Sequence, residues 1–238
     1  MARLATLAQL RTRALQRSDH ENDNYIPQAE ANDMINQSLT GLYDMLVAAS
    51  EDYFVSPTPY TFSIVANQSA YAVPADFYKI RGLDLQLLAN GTGSWITLRR
   101  YNWNERNRYN YQPIPWNSLG VSQVRYHLTG STLTFIPLPT TQTGNVRLWY
   151  VPACPLLVAD GDTYDGVNGW DEWVVADVAR KIKTKEESDT SVIDATLGML
   201  TARVLKMCAN RDVDRPPRTV DVSEDGTWNS MGFPGDMD

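Results

Sequence analysis

Apolar positions near the start of the chain repeat with the spacing of α-helices. A first amphipathic helix is predicted over residues 4–17, with an apolar face formed by Leu4, Leu7, Ala8, Leu10, Ala14 and Leu15. After a polar run, Pro27 suits the first turn of a second helix, because its missing N–H has no partner there. That helix is predicted to reach about Ala49, with an apolar stripe of Ile35, Leu39, Leu42 and Leu46.

Short apolar and aromatic runs replace this spacing after residue 53. Prolines and turn residues separate the runs, which is typical of strands. Strands are predicted at 126–128, 133–136 and 146–151, with turns at Thr129-Gly130 and Thr143-Gly144. A hairpin is predicted around Asn90-Gly91, with a loop longer than two residues. Residues 101–113 are expected to contain one short helix.

Helical spacing returns after a turn-rich segment at 159–169. One helix carries a stripe of Trp170, Val174, Val175, Val178 and Ile182. Ser188 or Asp189 is suited to cap a last helix whose apolar positions are Ile193, Leu197, Leu200, Val204 and Cys208. From Asp212 onward no periodicity is left, which predicts an extended tail.

This order of elements predicts an α+β fold. Helices at both ends have apolar faces that need a partner, so they are expected to form one bundle around an inserted antiparallel β module. The predicted parts are 1–52 and 159–211 for the bundle, 53–158 for the β module and 212–238 for the extended C-terminal tail.

The charge of the 238-residue chain is concentrated at its end. The formal net charge is −7, and residues 212–238 supply −5 of it through seven acids and two arginines. The nearly neutral remainder gives no electrostatic signature of tight binding to duplex DNA. No apolar run approaches 18 residues, which excludes a transmembrane helix, and the arginine-punctuated N-terminus excludes a secretory signal.

No motif of catalysis or metal binding is complete. Asp160, Asp162 and Asp165 suggest a calcium loop, but the pattern fails at three positions and a turn is the better interpretation. Two histidines and two cysteines are too few for a convincing metal site or catalytic triad, and Cys154 and Cys208 are expected to be small buried residues. The acidic pairs Asp171-Glu172 and Glu186-Glu187 point different ways on a helix. The sequence therefore predicts no enzyme, no metal and no cofactor.

Three segments are suited to interactions. The arginine-bearing first helix is either a packed helix, a partner helix or, less well supported, a membrane-surface helix. Exposed aromatic residues and arginines in 101–116 suggest a subunit contact, or stacking on sugars or bases. The tail contains Trp228, Met231 and Phe233 among polar residues, which indicates either anchors that order on a partner or a mere chain end.

Four sequence blocks resemble those of a known protein family in their order and spacing. They are YIPQAEANDMINQSLTGLYDMLVAASEDYF, YAVPADFYKIRGLDL, a strand series with FIPLP and VRLWYVP, and GWDEWVVADVARKIKTKEESD. With these blocks, residues 20–211 resemble the head-to-tail adaptor (connector or head-completion) proteins of tailed bacteriophages. The resemblance implies a helical bundle interrupted by a β module.

The resemblance also implies a function and partners. Such adaptors form a ring, here expected to be a dodecamer, beneath the portal protein in the virion neck, after assembly in the host cytoplasm. The ring extends the channel through which genomic DNA passes without sequence-specific binding, and it is the platform for a tail nozzle or tail-tube protein. No membrane is involved.

A C-terminal segment reaches into the portal ring in related adaptors, which implies portal contact for the tail. The aromatic residues and arginines of 101–116 give a second candidate contact set. Portal contact is predicted for Arg215, Arg218, Trp228, Met231 and Phe233. Inter-subunit or tail contact is predicted for Trp103, Arg106, Arg108, Tyr109, Tyr111 and Trp116.

Two alternatives stay open at this point. The first is a tail-side nozzle or tail-completion component, which would assemble on the tail tube instead of the portal. The second is a carbohydrate-binding module that uses Trp95, Trp103 and Trp116.

Overall fold

Helices from the two ends of the chain pack together, and the strands between them form two sheets. The computed structural model describes residues 4–21, 25–86, 95–109, 124–140, 144–165 and 169–210. Their buried apolar residues form a helical cluster drawn from both chain ends and a second cluster between the sheets. The predicted α+β class is confirmed, whereas the boundaries at 52 and 158 stay a prediction. The predicted tail lies outside the described residues.

The first helix begins later than predicted. Helix α1 spans Leu7–Ser18, and Thr6 caps it with a reciprocal pair of hydrogen bonds to Gln9, each 3.2 Å long. Residues Ala5–Thr6 form strand β1, which pairs antiparallel with β10, Thr163–Tyr164. Leu4 precedes both elements and is 51% exposed. Its predicted place on the apolar face of the helix is wrong, because the capping box at Thr6 makes the helix begin after Leu4.

The second helix agrees with its predicted pattern. Helix α2 spans Gln28–Ala49 and begins directly after Pro27, which takes the N-cap position rather than the first turn. The four residues of its predicted apolar stripe are all buried. They form the centre of the helical cluster.

The two C-terminal helices differ in how much of their surface is covered. Helix α4, Asp171–Lys185, is buried on most of its sides. Helix α5, Ser191–Ala209, fully buries only Val204 and Cys208. The N-cap position of α5 is held by Thr190, without a side-chain capping bond, so the predicted cap at Ser188 or Asp189 is wrong. Asp189, one residue before the N-cap, accepts a hydrogen bond from the Ser191 amide at 2.9 Å.

Helices α1 and α5 flank a central pair. Each of them packs against both α2 and α4, and α2 packs against α4. Two helices that share both partners without a substantial contact of their own must lie on opposite sides of that pair. The bundle therefore has an α1 flank and an α5 flank.

Sheet 1 is antiparallel throughout. Its strands are β2 (Tyr60–Ser63), β9 (Asn145–Pro152), β4 (Phe77–Gln86) and β5 (Trp95–Thr97), in the spatial order β2-β9-β4-β5. The pairing of β4 with β5 confirms the predicted hairpin, although Asn90-Gly91 itself lies outside the described residues.

Sheet 2 has the order β3-β8-β7-β6, and at one edge it departs from the antiparallel pairing that the sequence predicted. The strands are β3 (Ala70–Ala72), β8 (Thr132–Ile136), β7 (Arg125–Thr129) and β6 (Arg99–Arg100). The short β6 runs parallel to β7. A single buried residue, Leu98, separates β5 of sheet 1 from β6 of sheet 2, and the residues between β6 and β7 are numerous enough for the crossover that a parallel pair needs.

Three strands and one turn were located correctly from the sequence. Strands β7, β8 and β9 include the predicted segments 126–128, 133–136 and 146–151. Gly130 adopts φ +55° in the predicted turn between β7 and β8, a conformation that favours glycine. The other predicted turn falls partly on Thr143, which is outside the described residues.

Two irregularities in β4 join the sheets to the helices. Its register with β9 shifts between Phe77 and Lys79 and again between Ile80 and Gly82, so Tyr78 and Arg81 are the extra residues. Tyr78 donates a 2.7 Å hydrogen bond to Asp44 of α2. Arg81 pairs with Glu51 at 2.8 Å and with Asp52, just beyond that helix. The two irregularities thus direct polar side chains at the end of the bundle nearest the sheets.

A buried carboxylate joins α2 to α4. Asp177 is 5% exposed, and it accepts hydrogen bonds from Ser38 at 2.7 Å and Arg180 at 2.8 Å. The Lys181 ammonium lies 3.1 Å from the same carboxylate and donates to the Ser38 hydroxyl at 2.7 Å. Burial acts to raise the pKa of Asp177, but the Ser38 and Lys181 contacts outweigh it, so the pKa lies below its ordinary value.

Candidate interaction surface

The exposed edge of sheet 2 begins with two arginines and a buried tyrosine. Arg99 and Arg100 of β6 are both exposed. Tyr101 follows with 3% exposure, and its amide donates to the Tyr126 carbonyl at 3.0 Å. Burial raises the pKa of Tyr101, so its ring stays neutral. This anchored tyrosine fixes the place where the chain leaves the sheet.

A short helical segment follows this edge directly. A single 3-10 turn, Trp103–Glu105, continues into helix α3, Arg106–Tyr109. The side chain of Asn102 caps the turn by accepting a hydrogen bond from the Asn104 amide at 3.3 Å. The structure therefore confirms the short helix predicted for this region. Its side chains project beside β6 and β7.

Four rings gather between the helical segment and the sheet. The His127 ring on β7 lies 5.1 Å from the Tyr101 ring and 5.2 Å from the Trp103 ring, measured between centroids. Tyr101 also approaches Trp103 at 6.5 Å and Tyr109 at 6.4 Å. The Nδ1 atom of His127 is 3.4 Å from the Tyr101 carbonyl oxygen. These contacts hold the half-exposed Trp103 in a defined orientation.

Positive charge surrounds the rings. The Arg106 guanidinium lies 5.4 Å from the centre of the Trp103 ring, and Arg125 lies at the same distance from Tyr109. Arg108 is paired only loosely with Glu105, at 3.6 Å in an exposed position. The charged residues of this surface are thus one glutamate, Glu105, and five arginines, at positions 99, 100, 106, 108 and 125. We call these residues, with the four rings, the arginine–aromatic surface.

This surface is suited to binding a macromolecule. A groove of about 340 Å³ is lined by Arg100, Tyr101, Asn102, Trp103 and His127. Tryptophan, tyrosine and arginine are the residue types most enriched among the energetic anchors of protein interfaces. The rings are already packed and oriented, so binding would order few additional side chains.

The structure brings four of the six predicted contact residues together. Trp103, Arg106, Arg108 and Tyr109 lie in the same helical segment, while Tyr111 and Trp116 are outside the described residues. Sequence reasoning missed Arg99, Arg100, Arg125 and His127, and it included Tyr101 in the aromatic segment without naming it as a contact residue. The Arg99-Arg100 pair at the start of this segment was a usable signal, but His127 and Arg125 come from a strand distant in sequence.

The predicted portal-contact residues all belong to the C-terminal tail. Arg215, Arg218, Trp228, Met231 and Phe233 all lie beyond the last described residue. Their role stays a prediction.

The tryptophans of the carbohydrate alternative have separate surroundings. Trp95 lies on β5 of sheet 1, where the Arg147 guanidinium covers its ring at 3.3 Å. Trp103 belongs to the arginine–aromatic surface, and Trp116 is outside the described residues. The described contacts therefore do not join Trp95 and Trp103 in one stacking platform.

The acidic turn at 159–165 is a turn, as expected. Asp160 pairs with Arg11 at 2.9 Å, and Asp165 accepts a hydrogen bond from Tyr53 at 3.0 Å. Asp162 accepts from the amides of Val158 and Ala159, each at 2.8 Å, and these bonds lower its pKa. Each carboxylate thus serves the local structure.

The remaining candidates for chemistry are engaged in structural contacts. Asp171 and Glu172 pair with Arg13 and Arg17 of α1, at 2.6 and 3.6 Å, and Glu186 pairs with Lys183. Cys208 is buried as expected, while Cys154 is half-buried, and burial raises the pKa of its thiol to about 11. Over the described parts of the chain, no three metal-ligating side chains form a group that would hold an ion.

The arginines of α1 point to its role. Two of them pair with α4 and a third with the turn at 159–165, while the apolar face of α1 packs into the bundle. This confirms that α1 is a packed helix. None of the helices in the described ranges is long and apolar enough to span a membrane.

Comparison with known proteins identifies the family of this chain. The model of the SU10 adaptor protein family matches residues 5–226, which is most of the chain. The chain therefore belongs to this family of phage head–tail adaptors. It is a structural adaptor protein of the virion neck. No curated protein matches its sequence.

Proposed function

We propose that this chain forms a ring, of twelve copies, beneath the portal of a DNA-filled capsid. The ring extends the DNA channel and provides the platform on which the tail attaches. The match to an adaptor family over residues 5–226 supports this proposal most strongly. The fold is the helical bundle with inserted β strands expected for such adaptors.

The low net charge of residues 1–211, which we call the body of the chain, fits a channel that DNA must pass through freely. Residues 1–211 carry a formal charge of only −2. A ring that neutralised many phosphates would hold the DNA, since each such contact adds to affinity. A nearly neutral body lets packaged DNA slide during ejection.

The two predicted contact sets serve opposite neighbours in this proposal. The C-terminal tail binds the portal through its apolar anchors and two arginines. The arginine–aromatic surface binds the tail nozzle or tail-tube protein. Its exposed, preorganised Trp103 is the central anchor, and the arginines around it suit an acidic rim on the tail component.

Replacing Trp103 tests the tail contact. We expect Trp103→Ala to weaken binding of the tail component to a portal–adaptor complex at least ~10-fold, the cost of one interface anchor. The free energy of unfolding should fall by about 1–2 kcal/mol, because half of the Trp103 side chain is covered by Tyr101, His127 and Arg106. Biolayer interferometry with the tail protein of the same phage measures the first effect, and thermal unfolding measures the second.

Trp95→Ala is the matched control for this experiment. It removes the same side chain from sheet 1 and should leave the binding of the tail component unchanged. Equal losses in the two variants, or no loss in Trp103→Ala, would show that the arginine–aromatic surface is not the tail contact.

A phage lacking the gene tests the proposed function as a whole. We expect such a phage to accumulate DNA-filled heads and separate tails, and a plasmid copy of the gene to restore infectious particles. Electron microscopy and a count of infectious particles measure both effects. Heads and tails that join normally without this protein would overturn the proposal.

A further inference from the structure

The outer face of α5 is apolar and uncovered. Val192 is 76% exposed and Met199 is 68% exposed, and they lie two helical turns apart on the side of α5 that faces away from α2 and α4. Exposed Ala195 and Ala202 share this side and add no charge. Arg203 and Lys206 continue the same side toward the C-terminus of the helix. We call this surface the α5 face.

A second exposed apolar feature lies on the α1 flank of the bundle. Leu156 and Val158 are 70% and 73% exposed, while Leu157 between them is buried. Alternation of this kind is what an extended backbone produces. The segment lies beside α1, since the Asp160 carbonyl accepts a hydrogen bond from the Ala8 amide. We call Leu156 and Val158 the ridge.

The ridge is held firmly. The Asn36 side chain both accepts from the Leu157 amide, at 2.9 Å, and donates to the Leu157 carbonyl, at 3.0 Å. Asp162 accepts from the amides of Val158 and Ala159. A rigid loop that presents two aliphatic side chains to solvent would lose little conformational entropy on binding.

The charges beside the two features are opposite. Arg203 and Lys206 of the α5 face are exposed and positive. Beside the ridge, Asp160 is paired with Arg11, and the Asp162 carboxylate at the Val158 amide supplies a further negative charge. Exposed Asp33 lies one helical turn before Asn36, the residue of α2 that binds Leu157. Three carboxylates and one arginine leave the surroundings of the ridge with an excess of negative charge. Opposite charge around two apolar patches favours contact between them.

We infer that the α5 face of one copy of this chain binds the ridge of the next copy. The two features differ from each other and lie on opposite flanks of the bundle, so their contact is head-to-tail. A head-to-tail contact closes into a ring when its rotation is suitable. The inference rests on the proposed ring and specifies which surfaces build it.

Charge insertion into either feature tests the contact. We expect Met199→Glu and Val158→Glu each to prevent complete rings on the purified portal of the same phage, and to raise the concentration needed for loading at least ~10-fold. Both side chains are exposed, so thermal unfolding should match that of the wild type. Val192→Glu is a second variant of the α5 face. The matched control is Val65→Glu, because Val65 is 49% exposed and lies between the strands β2 and β3, away from both features.

A mixture of the two variants tests the head-to-tail geometry. Met199→Glu keeps an intact ridge and Val158→Glu keeps an intact α5 face, so together they should form pairs on the portal but no ring. Native mass spectrometry counts the copies. Complete rings from either single variant, or no pairs from the mixture, would overturn the inference. If the wild-type chain forms no ring on the portal, the proposed function is wrong. This measurement comes first, so its failure is distinguished from a failure of the inferred contact.

Discussion

A chain that ends at residue 211 is expected to fold like the full chain and to bind the portal about 100-fold more weakly. The loss corresponds to about 2.7 kcal/mol. Burying Trp228, Met231 and Phe233 would contribute roughly 1.5–3 kcal/mol each, and the ordering of the segment offsets part of this. The fold should persist because α5 ends at Ala209 and both described apolar clusters lie before residue 211.

Surface plasmon resonance on immobilised portal measures the affinity, and circular dichroism verifies the fold. A full-length chain with Trp228→Ala, Met231→Ala and Phe233→Ala separates the anchors from the rest of the tail. Arg215→Ala with Arg218→Ala tests the charge partners and is expected to have a smaller effect that diminishes in high salt. A truncated chain that binds the portal as tightly as the full chain would contradict the role of the tail.

Removal of the carboxylate of Asp177 is expected to lower the free energy of unfolding by about 3 kcal/mol. Asp177→Ala leaves the Ser38 hydroxyl and the Lys181 ammonium without the acceptor that they now share between α2 and α4. Urea unfolding measures the effect. Glu172→Ala is the control on the same helix, since its exposed pair with Arg17 is worth less than about 1 kcal/mol. Equal, small effects of the two changes would contradict the importance of the buried network.

The same carboxylate gives a pH dependence with a defined sign. The pKa of Asp177 is lower in the folded chain than in the unfolded chain, so its stabilisation is complete above the ordinary aspartate range, about pH 4. It is lost as the pH falls through the folded pKa, because the unfolded state then binds more protons. The stability difference between the wild type and Asp177→Asn should therefore be largest near neutral pH and narrow in acid. A difference that widens in acid would contradict this assignment.

Elements with strong periodicity were predictable from the sequence. The buried stripe of α2 and the strands β7 to β9 follow from apolar spacing alone, because each element buries one regular face. Three features depend on tertiary contacts and have no such local signal. The strand β1 needs β10, the parallel β6 is defined by its pairing with β7, and the irregularities at Tyr78 and Arg81 are defined only by the pairing with β9.

The candidate surface was also predictable only where its residues are close in sequence. Trp103, Arg106, Arg108 and Tyr109 are close in sequence, so their composition alone indicated a contact segment. His127 and Arg125 join them only because β7 lies beside β6. The apolar spacing of α5 indicated its buried side but gave no warning that Val192 and Met199 on the opposite side would stay uncovered. An exposed apolar face becomes visible only when the helices are assembled.

Native mass spectrometry of the chain, alone and mixed with the portal of the same phage, tests the proposed function most directly. We expect a monomer alone and a ring on the portal with one copy of this chain for each portal subunit. Such a ring would establish an adaptor that assembles on its template. A chain that stays monomeric and ignores the portal would contradict the proposed position and shift the assignment to the tail side, and then to sugar binding.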